Sequence, residues 1–347
     1  MVVHQPAFQT ESRYPRIVII DVSDIRFPTG SDEEMVFQTF RSYLEAFCIW
    51  SRDLHPHEEG LVPGVAAAVK ARPWAVSVPR ESKDLSERAG ELLRNAWATE
   101  VLLNAPRILG SRDLIGFANL WAPVQAYYAI FEALTALAVT IGGSSPPKTH
   151  QAMLQWAGSR LPEANSPFVE PWTARVVGSP AAYRYEGVAG VTIEPISNLA
   201  SPRLENAPHL LAKALKTTRR DQLEGKRGSW LKDGTTKAGT KRKRMPTAEF
   251  SAKAEKFRPT TLFDLLWRLR VRSNYEEGDA LLSGALGPRD AAAFHDAMAE
   301  IVAATLVTIE IYVCHVVGKD AIEACADALA VPDGLQAFSV AARVDIW

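Results

Sequence analysis

Three arginines, Arg268, Arg270 and Arg272, alternate with apolar residues in the segment Trp267-Arg268-Leu269-Arg270-Val271-Arg272-Ser273-Asn274-Tyr275-Glu276. A guanidinium offers its donors in a rigid planar fork that matches phosphate and carboxylate oxygens. On a helix, residues four apart are neighbours, so Arg268 and Arg272 share one face and Arg270 and Asn274 another. Leu262, Leu265, Leu266, Leu269 and Val271 form the apolar side. Two cationic faces beside one apolar face suit a phosphate backbone. They equally suit internal pairing with Asp264, Glu276 or Glu277 of the same bundle.

A second combination could do proton chemistry. Arg289 and His295 are separated by five residues, with Asp290 as the polar neighbour of Arg289. A histidine moves protons near neutral pH, and an arginine stabilises the extra charge of a phosphorane. RNA supplies its own nucleophile in the ribose 2′-OH, so such a pair needs no metal. A chain of 347 residues also produces this spacing by chance. The only dense His/acid word, His55-Pro56-His57-Glu58-Glu59, sits in a Pro- and Gly-containing segment and reads as solvated surface. Cys48, Cys314 and Cys325 form no CxxC, which leaves no sequence case for a zinc site or a disulfide framework and points to a reducing, intracellular setting. No P-loop, dinucleotide fingerprint or nucleophile elbow is present. The expectation is therefore no cofactor and no metal.

The charge is unevenly placed. The net charge is -1, so no global field selects a partner. Yet twelve basic residues fall between Lys213 and Arg244 against Asp221, Glu224 and Asp233, which makes that stretch +9 and the remainder -10. Arg219, Arg220, Lys226, Arg227, Trp230, Lys241, Arg242, Lys243 and Arg244 are its candidate nucleic-acid contacts. Clustered cations with an interspersed aromatic suit backbone contact plus base stacking on single strands. The alternative is a solvated loop that keeps the protein soluble. The centre of the stretch, Gly225 to Met245, reads as mobile.

These groups need elements to hold them. With 47% hydrophobic and 23% charged residues, the chain has enough apolar material for a sizeable core. A β-branched run over 16–22 predicts a short strand. Met35, Phe37, Phe40, Tyr43, Leu44, Phe47 and Cys48 follow helical spacing. Helices are predicted from about Ser82 to Asn104, from Ser111 to about Thr140, and from Lys148 to Arg160. Between Leu161 and Leu204 helical periodicity lapses, with short strands predicted over 172–176 and 190–193. Helices resume from Thr247 in pieces: Pro259–Glu277, Pro288–Val317 and Asp320–Ala328. The apolar run Ile301–Val317 carries Glu310 and His315 and reads as a buried bundle helix rather than a membrane span. The N-terminus has no basic region followed by an apolar one, so no signal peptide is expected. The fold class is mostly α, an antiparallel helical bundle with an irregular, partly β insertion and a short N-terminal extension containing a strand. The units divide as 1–80 (extension), 81–160 (first half of the bundle), 161–258 (irregular and basic insertion) and 259–347 (second half).

Tyr127-Tyr128-x-x-Phe131, a Gly and Thr149-His150 ahead of a helix, and an Arg-rich helix ending Arg272-Ser273-Asn274-Tyr275 resemble the HEPN domain (higher eukaryotes and prokaryotes nucleotide-binding). The resemblance covers about residues 90–157 and 260–317. It implies a helical bundle that forms a homodimer, binds RNA or single-stranded nucleic acid, and in many members cleaves RNA without metal in toxin–antitoxin or antiviral defence systems. It further implies a cytoplasmic protein with an antitoxin or defence partner and no membrane attachment. Its catalytic signature is an Arg with a polar neighbour and then a His after four to six intervening positions. After Arg272 those positions hold Glu277, Gly278 and Asp279. Asn274 and Tyr275 would then supply the polar function, or Arg289 and His295 would form the pair. The alternative reading is a non-catalytic HEPN-like binding or assembly module, which the missing His after Arg272 favours.

Overall fold

The helical spacing from Met35 to Cys48 folds as α1 (Asp32–Leu54), with Asp32, Glu33 and Glu34 in the first turn complementing the helix dipole. The computed structural model describes residues 32–108, 112–142, 146–187, 193–197, 200–232, 244–276 and 278–347. The strand predicted over 16–22 lies outside them, as do Lys241, Arg242 and Lys243.

After α1 come α2 (Leu61–Ala71), a single turn α3 (Trp74–Ser77) and α4 (Glu87–Ile108). Ser86 Oγ accepts from the Ala89 N–H at 3.2 Å and starts α4. The helix runs beyond its predicted end and carries Pro106 inside it. The single helix predicted from Ser111 to Thr140 is two: α5 (Arg112–Ala118) and α6 (Ala122–Gly142). Pro123 has no N–H to donate and sits in the first turn of α6, where none is required. Asn119, in the break, donates to the Ala291 carbonyl at 2.9 Å. The next helix, α7 (His150–Arg160), is capped by Thr149, whose Oγ1 accepts from Ala152 N at 3.2 Å.

The small sheet is antiparallel, in the order β2-β1-β3, from β1 (Arg175–Ser179), β2 (Ala182–Glu186) and β3 (Thr260–Thr261). Arg175 lies opposite Glu186 in the β1–β2 hairpin and pairs with it at 2.7 Å. β1 overlaps only the end of the strand predicted over 172–176. Of the strand predicted over 190–193, Ile193 is not in a strand and the rest lies outside the described residues.

The segment predicted to be irregular contains a long helix, α8 (Ala207–Lys232). It includes Gly225–Lys232, which the sequence suggests is mobile. Leu210, Leu211, Ala214, Leu215, Thr218 and Leu223 bury one stripe of α8, and α8 packs on α1. That tertiary burial outweighs the roughly 1 kcal/mol per glycine that Gly225 and Gly228 cost a helix. The chain continues through α9 (Thr247–Glu255) and α10 (Leu262–Val271), which runs into a π-helical turn, Arg272–Glu276. Then follow α11 (Gly278–Ser283), α12 (Pro288–Val317) and α13 (Lys319–Asp327), with 3-10 turns Asp333–Phe338, Val340–Ala342 and Val344–Ile346 at the end.

The fold is mostly helical with a small antiparallel sheet. α12 is its axis, packed against α1, α2, α4, α5, α6 and α13. The predicted division into units needs correction. α1 and α2, from the supposed extension, and α8, from the supposed insertion, bury side chains in the same core as α4, α6, α10 and α12. A separate small cluster joins Leu223, Met245, Phe250 and Ala254, with Trp230 packed against it. α6 and α12 are long and apolar enough to cross a membrane by length and composition, and 67% and 89% of their apolar windows are buried in this fold. Charges inside the core are paired. Arg343 donates to both oxygens of Glu100, at 2.6 and 2.8 Å, and to Glu310 at 2.7 and 2.9 Å. This ties the C-terminal turns to α4 and α12, as a buried guanidinium between two carboxylates must.

Candidate nucleic-acid interface

α10 begins at a capping box. Thr261 N donates to Asp264 Oδ2 at 2.9 Å, and Asp264 also accepts from Gln222 Nε2 at 2.7 Å and pairs with Arg258 at 2.6 Å. The buried Asp264 is therefore fully engaged at the start of the helix and does not serve the arginines further along. Leu262, Phe263, Leu265, Leu266 and Leu269 face the core. The two cationic faces diverge from there.

The first face turns inward to α8 and α1. Arg268 pairs with Asp221 Oδ2 at 2.7 Å and Arg272 reaches the same oxygen at 3.6 Å. Their guanidiniums lie 5.6 and 5.9 Å from the centre of the Phe40 ring. The acid that reaches both, Asp221, comes from the basic stretch. A catalytic role for Arg272 and a nucleic-acid role for Arg268 thus compete with an internal ion pair.

The second face is different. Arg270 lies on a shelf of rings, 4.7 Å from the centre of Trp267, 5.3 Å from Tyr128 and 5.9 Å from Tyr127. One guanidinium nitrogen donates to Tyr128 Oη at 3.0 Å. Its Nε is buried with no hydrogen-bond partner, and among the described residues no carboxylate pairs with it. The shelf continues onto α7. His150 stacks 4.9 Å from Trp267 and 4.4 Å from Phe131, with Nδ1 3.1 Å from the Tyr127 hydroxyl. Burial, and then the charge of Arg270, push the His150 pKa down, so the ring is neutral at pH 7. Burial pushes the Tyr127 phenol up and keeps it protonated.

The shelf extends along α6. Trp121, Gln125 and Tyr128 are spaced i, i+4, i+7, one face of a helix, and all are exposed or half-buried. Ser273 Oγ donates to the Leu120 carbonyl, while Tyr127 meets Trp267 at 5.2 Å. Those two contacts run in opposite directions along the chain, so α6 and α10 lie antiparallel. The strip from Trp121 to Phe131 is about 15 Å long at 1.5 Å per residue. The π-helical turn ends it, with Asn274 exposed and Tyr275 72% exposed. Such turns often occur at functional sites.

The other sequence candidates fall apart in space. Arg289 is exposed in the first turn of α12. His295 is wholly buried, its Nδ1 3.0 Å from Asn119 Oδ1 and its Nε2 2.7 Å from the Leu103 carbonyl. Six residues at about 100° each put the two on different sides of the helix, so they do not form a pair. Asp290 is buried and accepts from Gln38 at 2.8 Å and from Arg41. Burial pushes the His295 pKa down. It is a core histidine, not a proton-transfer group at a surface.

Arg219 is also a correction. Its guanidinium is wholly buried and donates to the carbonyls of Gly178 at 2.8 Å, Arg258 at 2.9 Å and Ala254 at 2.9 Å, with Val176 at 3.3 Å. It clamps α8 to the sheet and cannot reach a nucleic acid. Desolvation lowers its pKa to about 10. Arg220, Lys226 and Arg244 are exposed, and Arg220 lies 3.4 Å from Asp221. Arg227 leans on Phe250 at 5.1 Å and pairs with Glu224 at 3.4 Å. Trp230 packs half-buried against Phe250 and Phe257, with Lys253 over it, so its stacking faces are largely taken.

The structure thus assembles Tyr127, Tyr128, Phe131 and His150 with Arg270 and Trp267, and the exposed Trp121, just ahead of α6, is spaced to fall on the Tyr128 face. Trp121 was missed. Its i, i+7 relation to Tyr128 was available, but the break between α5 and α6 was not. Among the described residues, no group of three or more His, Cys, Asp or Glu side chains is placed to hold a metal. No protein-family model matches the chain, and neither does a curated protein or a solved structure.

Proposed function

We propose that this chain binds single-stranded nucleic acid, RNA in the first instance, along the α6–α10 strip, and that it does so without cutting it. The observation that carries the reading is Arg270: a guanidinium on a half-exposed aromatic shelf with no carboxylate partner among the described residues. Bases stack on aromatic faces and on guanidinium planes whatever their sequence, and the phosphate supplies the missing anion. The exposed Arg220, Lys226 and Arg244 supply additional positive charge on α8 and ahead of α9. The absence of an Arg289–His295 pair removes the best sequence case for catalysis. Fluorescence anisotropy with a labelled single-stranded RNA of about twelve nucleotides tests the reading. Affinity that falls steeply with salt and drops in Arg270→Ala supports it. Unchanged affinity in Arg270→Ala, with the fold intact, sinks it.

A second reading rests on His150. It is half-buried beside Arg270 and is held at Nδ1 by Tyr127. If Nδ1–H donates to the Tyr127 oxygen, Nε2 is a free base that could take the proton of a ribose 2′-OH. Metal-independent cleavage that survives EDTA, leaves a 2′,3′-cyclic phosphate and disappears in His150→Ala would replace the first reading with this one.

A further inference from the structure

A cleft of about 450 Å³ opens between the end of α1, the start of α2, the C-terminal half of α4, the middle of α12, and the C-terminal 3-10 turns. None of its lining residues belongs to the α6–α10 strip, so what it binds is independent of the nucleic-acid reading. Its volume lies in the range of small-molecule sites, about 300–1,000 Å³. Leu61, Val62, Ala299, Ala303, Phe338 and Ala342 form its apolar wall.

The polar lining is ordered rather than loose. Arg52 donates from Nε to Glu300 Oε1 at 3.1 Å and pairs with its other oxygen. Arg107 lies 5.1 Å from the centre of the Phe338 ring, pairs with Asp296 at 2.8 Å and donates to Asn104 Oδ1 at 2.8 Å. Arg343 and Glu100 close the inner end. Every guanidinium on the wall therefore already holds a carboxylate.

The uncommitted charges are at the mouth. Glu58 and Glu59 line it, both are exposed, and neither is in an ion pair among the described residues. They precede Gly60, the N-cap of α2, whose φ of 110° is open to glycine. The α2 N-terminus offsets about half a unit of their charge. Counting the lining alone, Arg52, Arg107 and Arg343 oppose Glu58, Glu59, Glu100 and Glu300. Asp296 and Glu310 stand directly behind these arginines. The mouth is net negative, and the arginines do not reverse it.

We propose that this cleft binds a small amphipathic organic cation, an aryl- or alkylammonium, with its apolar body against Ala299, Ala303 and Phe338 and its ammonium at Glu58 and Glu59. An organic anion of the same shape would enter against the field. A neutral one would gain only the apolar contacts.

Isothermal titration calorimetry of the full chain tests this with phenethylamine, tryptamine and hexylamine. 2-Phenylethanol serves as the neutral counterpart and 3-phenylpropionate as the anionic one. The amines are expected to bind, phenethylamine about tenfold tighter than 3-phenylpropionate, with an advantage that shrinks in high salt. Glu58→Gln with Glu59→Gln should weaken phenethylamine roughly five- to tenfold, in keeping with two exposed ion pairs, and leave 2-phenylethanol unchanged. Ala303→Trp, filling the cleft, should abolish both. Thermal melts of each variant separate lost binding from lost folding. Silence from all three amines at millimolar concentration overturns the proposal. So does 3-phenylpropionate binding as tightly as phenethylamine, or an equal loss of 2-phenylethanol in the double Gln variant.

Discussion

Arg219 donates to the backbone carbonyls of Gly178, Ala254 and Arg258 in a fully buried site, whereas Arg270 has one tyrosine hydroxyl and three ring faces at a half-exposed edge. Both arginines occur in segments dense with basic residues. The histidines divide the same way. His295 has both ring nitrogens against oxygens inside the core, one of which the neutral ring can donate to, and His150 has one nitrogen bonded and a ring partly open to solvent. A side chain whose polar atoms are all taken by its own fold contributes stability. One with polar capacity left at a surface can take a ligand. Arg219 and His295 therefore belong to the fold, and Arg270 and His150 to the candidate interface.

The largest effect should come from Arg219. Arg219→Ala strands several buried carbonyls, and a loss of roughly 3–5 kcal/mol in unfolding free energy is expected. Urea denaturation of the purified variant measures it. A variant as stable as the parent would break the comparison at once.

His295→Gln comes next, at about 1–3 kcal/mol, because the buried contacts with Asn119 and Leu103 are disturbed. It also carries a pH signature. Burial lowers the folded-state pKa of His295, so below about pH 6.5 the unfolded chain binds a proton that the folded chain resists. Stability from this group is intact above that pH and is lost as pH falls toward the folded pKa. The difference in melting temperature between parent and His295→Gln should therefore narrow from pH 7 to pH 5. A constant gap would show that His295 is not held neutral by the fold.

Arg270→Ala should act on the ligand and not on the fold. About tenfold weaker RNA binding is expected, with a salt slope shallower by roughly 0.7 for one lost phosphate contact on a single strand. Unfolding free energy should change by less than about 1 kcal/mol. Trp267→Ala should also weaken binding, but with a melting loss, since that ring packs on Tyr127. If Arg270→Ala and Arg219→Ala lose binding equally and only through melting, the two arginines do not differ in kind.

The smallest effect should be that of Arg289→Ala. The side chain is exposed at the start of α12 and its sequence partner His295 lies in the core. Stability within about 0.5 kcal/mol of the parent and unchanged RNA binding are expected. Any marked loss of binding would move the interface toward α12.

Much of the scaffold was legible without coordinates. Helical spacing in α1 and the Pro288 start of α12 are local signals, written within one or two turns of chain. The α5–α6 break and the persistence of α8 through Gly225 and Gly228 were not. Both depend on partners remote in sequence, the Ala291 carbonyl for Asn119 and α1 for α8.

The candidate site divides along the same line. Sequence alone determined that the arginines would share two faces of α10, because a 3.6-residue period sets that relation. Which face would be neutralised was decided only by the tertiary structure. Asp221 reaches Arg268 and Arg272 from α8, and nothing acidic among the described residues reaches Arg270. Whether a charged side chain is a clamp or a binding group depends on what stands opposite it, and here what stands opposite comes from another helix.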